Sequence, residues 1–190
     1  MMTLLLVFAL APSAQASPVI PTDFGHHLVV VDPGHGAEGA DGNVSVRCEA
    51  EMDHTFRVSS HLKRGLEATG HFTVVLSRER GQRVGLGERV VQAERVGAEA
   101  YISIHSDARG EAKVVATAYD GRPCLHNEAD PGFSVLWSSV GEARLIAQRH
   151  QLAVDIAQSL SGLGHTAYHG LNYEGLYTPD PVPGVFRDGR

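Results

Sequence analysis

His27-Leu28-Val29-Val30-Val31-Asp32-Pro33-Gly34-His35-Gly36 is the stretch on which the fold turns. A run of β-branched apolar residues reads as a buried strand. Asp-Pro-Gly ends it in a turn, because proline removes a ladder donor and glycine admits positive φ. His35 is thereby placed at the C-terminal edge of a sheet, where open α/β folds carry their chemistry. Ala100-Tyr101-Ile102-Ser103-Ile104 repeats the design and runs into His105. Two strands that each deliver a histidine at the exit suggest two ligands converging on one metal, although either histidine alone reads equally well as a polar loop residue.

The segments between them alternate. Glu51 to Ala68 reads as a helix, with Phe56, Ser59, Leu62 and Leu66 on one face and Thr69-Gly70 as a stop. His71 to Ser77 reads as a strand, and Leu86 to Val96 as a short helix in which Arg89 and Glu94 are expected to be solvated. This β, helix, β, helix, β order predicts an α/β fold: a single domain with a mostly parallel, mixed sheet flanked by helices on both faces. Further on, Val114 to Tyr119 is an expected strand. Asp120 to Gly132 is an expected loop, and Ser139 to Leu160 an expected helix. His165 to Arg190 shows no periodicity and no final core element.

With 190 residues, 43% hydrophobic and 20% charged, the chain has the makings of one globular core. A net charge of −6 with scattered Arg and Lys argues against a nucleic-acid footprint or a polybasic membrane contact. Residues 1–16 read as a signal peptide: a short apolar run, Leu4 to Ala11, precedes Ala14-Gln15-Ala16, although Met1-Met2-Thr3 carries no basic residue. Residues 17–25 are a leader, and 26–190 the domain. Export implies an oxidising compartment, where Cys48 and Cys124 have the opportunity to pair; their distance in sequence leaves the pairing open.

The ordered set Val31-Asp32-Pro33-Gly34-His35-Gly36, Glu51 opening a helix, Ser77-Arg78, Leu86-Gly87-Glu88-Arg89 and Ser103-Ile104-His105 resembles the zinc-dependent N-acetylmuramoyl-L-alanine amidases of the Amidase_3 type. The resemblance covers about residues 27 to 165. It implies cleavage of the amide joining N-acetylmuramic acid to L-alanine in peptidoglycan. It also implies a zinc ion held by His35, Glu51 and His105. Glu49 is a rival to Glu51, but only Glu51 stands in register with Phe56, Leu62 and Leu66 as the family's Glu does. Peptidoglycan is the implied partner and a protein activator a further candidate, with no nucleic acid and no membrane span after signal removal; the implied location is periplasmic or extracellular.

Three residues depart from the family pattern: Ala37 for a glycine, and Asp107 and Glu94 for asparagines. A late catalytic Glu, expected in a Val-Glu-x-Gly-Phe-like strand, has no match. Glu174 sits instead in Asn172-Tyr173-Glu174-Gly175-Leu176. The base therefore goes unassigned, and the domain is expected to lack its last elements. A non-catalytic wall-binding module is the alternative this raises. A zinc peptidase or deacetylase is a third reading, with the same ligands and a different bond. Asp32 is a candidate for orienting the strand exit or a ligand histidine. Arg78 and Arg89 are candidate core-edge ion-pair partners, and Trp137 a packing residue. His54, His61, His150, His165 and His169 are expected in turns or on the surface.

Overall fold

The computed structural model describes residues 20–106, 113–128 and 130–190. The signal peptide, part of the leader and Asp107 lie outside them. Strand β1 (His27–Pro33) is central to a three-stranded parallel sheet, between β2 (Phe72–Leu76) and β3 (Ala100–Ile104). Helix α1 (Glu51–Ala68) joins β1 to β2, and α2 (Leu86–Arg95) joins β2 to β3. Strand periodicity sends Val29 and Val31 to one face, where they form a buried cluster with Val74, backed by Leu62 and Leu66 of α1. Val30 and Asp32 project to the opposite face, where Arg89 of α2 meets Asp32. The two crossover helices thus lie on opposite sides of the sheet, as the alternation predicts.

The second half departs from expectation in three places. The expected loop at 120–132 contains a strand, β5 (Arg122–Glu128), paired antiparallel with β4 (Lys113–Tyr119). Its partly or fully buried positions hold Cys124, His126 and Asn127 rather than aliphatics, so it carries no strand-like hydrophobic signal. The expected helix from Ser139 begins later, as α3 (Ala143–Gly162), because Val135–Ser138 is drawn into a strand, β6. The apparently coreless end supplies β7 (Thr178–Pro179) and β8 (Val185–Asp188). β8 lies between β6, to which it is parallel, and β7, to which it is antiparallel. Its Val185 and Phe186 are buried. Val185 joins Ala153 and Ala157 of α3, with Trp137 packed alongside; Phe186 joins Tyr168 and Tyr173. Among the described residues, no helix is long and apolar enough to cross a membrane.

Candidate metal centre

The exit of β1 is built for close approach. The Gly34 N–H donates to Ile104 O at 2.8 Å, holding the turn against the end of β3. A Cβ at Gly34 would fall 2.5 Å from that oxygen and 2.6 Å from the His105 ring, so only glycine lets the two exits touch. His35 follows with φ 63°, a left-handed conformation unusual for a side chain this large. The glycine-rich loop then folds back over the start of α1. Its carbonyls at Asn43 and Asp41 accept the N–H groups of Glu51 and Met52, at 2.8 and 3.0 Å. This satisfies helix donors that Ala50 has no side chain to cap.

Glu51, the first residue of α1, projects from that helix start between the two histidines. Its Oε2 is 3.3 Å from His35 Nε2 and its Oε1 is 3.5 Å from His105 Nδ1. One ligand atom from each of the three residues lies within 4.8 Å of the other two. The Glu51 side chain is 1% exposed, against 24% for His35 and 42% for His105, so the cluster is dry at the carboxylate and open at the histidines. Burial pushes the Glu51 carboxyl up. The His105 ring, the backbone N–H groups of Ser106 and Asn43, and the charge of His35 outweigh it and hold the group at about 2. Glu51 is therefore a carboxylate at neutral pH.

Glu49 is drawn elsewhere: Arg57 Nη2 donates to its Oε2 at 2.7 Å, outside the cluster. Cys48, just before it, is disulfide-bonded to Cys124 of β5, which resolves the open pairing. The Asn127 N–H also donates to Val44 O at 3.1 Å, so the β4–β5 hairpin is stitched to the segment leading into α1.

All three sequence-assigned ligands come together. Arg89, expected to be solvated, is fully buried; its guanidinium reaches Asp32 and the carbonyls of Pro33, His35 and Val84. Arg78 is buried as well, on the carbonyls of Pro33, Gly34 and Met52. Both serve the turn that carries His35, with Asp32 the ion-pair partner of Arg89. Asn43 was not anticipated, although its backbone N–H is 3.1 Å from Glu51 Oε2; its position after the Gly39–Gly42 loop is the only sequence signal for it. Glu174 is exposed, directly after a 3-10 turn at Leu171–Tyr173. His150, with its side chain 42% exposed, lies at the surface as expected and hydrogen-bonds there through Nε2, 2.8 Å from Asp180 Oδ2.

Two imidazoles and one carboxylate at this spacing suit a zinc ion that keeps a further position open, as in catalytic sites. The sequence model of a family described as N-acetylmuramoyl-L-alanine amidase matches residues 29–180. An amidase of that name, AmiC of Escherichia coli O6:H1, is 32% identical over 102 residues, which are 51% of this chain and 24% of that protein. The chain thus spans about a quarter of that relative's length. The amidase Ami1 of Mycobacterium smegmatis superposes with a TM-score of 0.58 at 21% identity, covering 89% of this chain and 75% of that one. An amidase of Clostridium difficile 630 gives 0.56 at 19%, covering 74% and 66%. At such identities the two structures speak for the fold.

Proposed function

Because this chain belongs to the N-acetylmuramoyl-L-alanine amidase family, we propose that it hydrolyses the amide between N-acetylmuramic acid and L-alanine in peptidoglycan, using zinc held by His35, Glu51 and His105. The observation that carries the reading is the convergence of those three side chains at the exits of β1 and β3 and the start of α1. A zinc ion there supplies a Lewis acid for the amide carbonyl and lowers the pKa of water to roughly 7. The chain's own residues fix the site. Glu51 stays ionised. Ser106 and Asn43 hold its two oxygens by their backbone N–H groups, at 2.6 and 3.1 Å, so its direction is set before metal arrives.

A substrate in the cell wall supports a location outside the cytoplasm. The Cys48–Cys124 disulfide supports that, since such bonds persist in oxidising compartments.

Incubation of the zinc-loaded chain with purified sacculi, followed by mass spectrometry, tests the activity. Intact stem peptides beginning with L-alanine, released from lactyl-bearing glycan, are the expected products. Cuts within the stem or loss of acetyl groups would point to the peptidase or deacetylase reading. Sedimentation with sacculi and no cleavage would leave the fold as a wall-binding module.

A further inference from the structure

We propose that Asp32 is a positioning residue that fixes the spacing of His35 and His105, with Arg89 as its counter-charge. The inference deepens the zinc reading above and rests on it.

Asp32 lies three residues before His35. Its Oδ2 accepts from Ser103 Oγ at 2.7 Å, and Ser103 lies two residues before His105. Its Oδ1 accepts from Ser77 Oγ, just past the end of β2, and from Arg89 Nη1 at 3.0 Å. The β1–β3 register sets Asp32 directly beside Ser103. One carboxylate therefore ties the exits of all three parallel strands at the level from which both histidines emerge.

Arg89 carries the tie past the end of β1, donating to Pro33 O at 3.0 Å and to His35 O. Arg78 completes it, donating to Pro33 O at 2.9 Å, Gly34 O at 3.1 Å and Met52 O at 2.7 Å. Three successive carbonyls, at residues 33 to 35, are thus held by guanidinium donors that also reach the backbone beside Glu51. This over-determination explains how His35 keeps its left-handed backbone, which an L-residue adopts only at a cost. The cluster is dry: Asp32 is 3% exposed, Arg78 1% and Arg89 0%. A buried ion pair is a poor source of net stability, because desolvation offsets its attraction. It is a good source of direction, because every bond in it is short-range and oriented. None of these residues supplies one of the three clustered ligand atoms. Their effect must therefore pass through the histidine backbone.

The test is zinc affinity by chelator competition on the purified chain, with apo-form melting and circular dichroism alongside. Ser103→Ala cuts only the link to the strand of His105, and remains informative if Asp32→Asn fails to fold. Val30→Ala, two residues earlier on the same strand face, is the control for plain loss of packing. We expect Ser103→Ala and folded Asp32→Asn to bind zinc about ten- to a hundredfold more weakly. We expect Val30→Ala to melt earlier with its affinity unchanged. Wild-type affinity in Ser103→Ala would overturn the positioning role while leaving the metal site standing. A wild-type chain that binds no zinc would overturn both.

Discussion

Arg57 Nη2 sits 2.7 Å from Glu49 Oε2 and draws that carboxylate away from the histidines that flank Glu51 two residues later. Two glutamates near one helix start are thereby separated into a surface pair and a site residue. Glu51→Gln should abolish stoichiometric zinc, read by metal analysis of the purified protein. Glu49→Gln should keep it and cost at most about 1 kcal/mol, the ceiling for an exposed ion pair. Zinc retained in Glu51→Gln would remove the carboxylate from the site.

Gly42 and Gly39 both hold positive φ, at 80° and 69°, yet differ in what surrounds them. A Cβ at Gly42 would meet Glu51 Cβ at 2.5 Å, Glu51 Oε2 at 2.7 Å and His35 Cδ2 at 2.8 Å; one at Gly39 would meet nothing within 4 Å. Gly39→Ala should cost only the left-handed backbone term, roughly 1–2 kcal/mol, and keep zinc. Gly42→Ala should cost more and displace the ligands. Equal zinc content in the two variants would show that the loop does not press on the site.

The disulfide joins positions 76 residues apart and closes a loop that contains Glu51 and His105. Restricting the unfolded chain over such a loop is worth roughly 4–5 kcal/mol in the chain-entropy picture. Reduction, or Cys48→Ser with Cys124→Ser, should lower the melting temperature by on the order of 10 °C for a domain of this size. An unchanged midpoint would mean that the cross-link does not stabilise the fold by restricting the unfolded chain.

Acid should weaken the fold through Asp32. Burial pushes this carboxyl up, but the Ser103 and Ser77 hydroxyls and the Arg89 guanidinium outweigh it and hold it below the ordinary 3.8. A depressed folded-state value means the contribution is complete above that ordinary value. It is lost as pH falls through the folded one. Urea melts of the apo protein should therefore steepen in their loss of stability below about pH 4. Asp32→Asn, where it folds, should be less stable at neutral pH with a flatter acid limb. An acid limb identical in both would assign the loss to other carboxylates.

The sequence exposes the first half of the fold because its strands are rich in β-branched and aromatic residues, as buried strands are, and two of them stop at clear markers: β1 in Asp-Pro-Gly and β3 directly at His105. It exposes the candidate ligands because each of them lies at or just past an element boundary: Glu51 at the start of α1, His35 and His105 after the ends of β1 and β3. It hides the clamp on His35. Leu86, Val90 and Val91 of α2 are 69, 50 and 49% exposed while Arg89 and Ala93 are buried. A periodicity argument places the wrong face inward, since the burial of Arg89 is decided by the carbonyls it satisfies and not by its polarity. β5 is hidden because its inward positions carry a disulfide cysteine and a histidine. β8 is hidden because two residues, Val185 and Phe186, are too short a run to separate from the Pro- and Gly-rich segment around them.

Two imidazoles and one carboxylate of this chain, His35, His105 and Glu51, are proposed to hold zinc. X-ray absorption at the zinc edge, on the chain loaded with one equivalent, tests that most directly. The expected result is imidazole scattering from two histidines, with nitrogen and oxygen neighbours at about 2.0–2.2 Å, and loss of one imidazole in His35→Ala and in His105→Ala. A spectrum with imidazole scattering unchanged in both variants would contradict it.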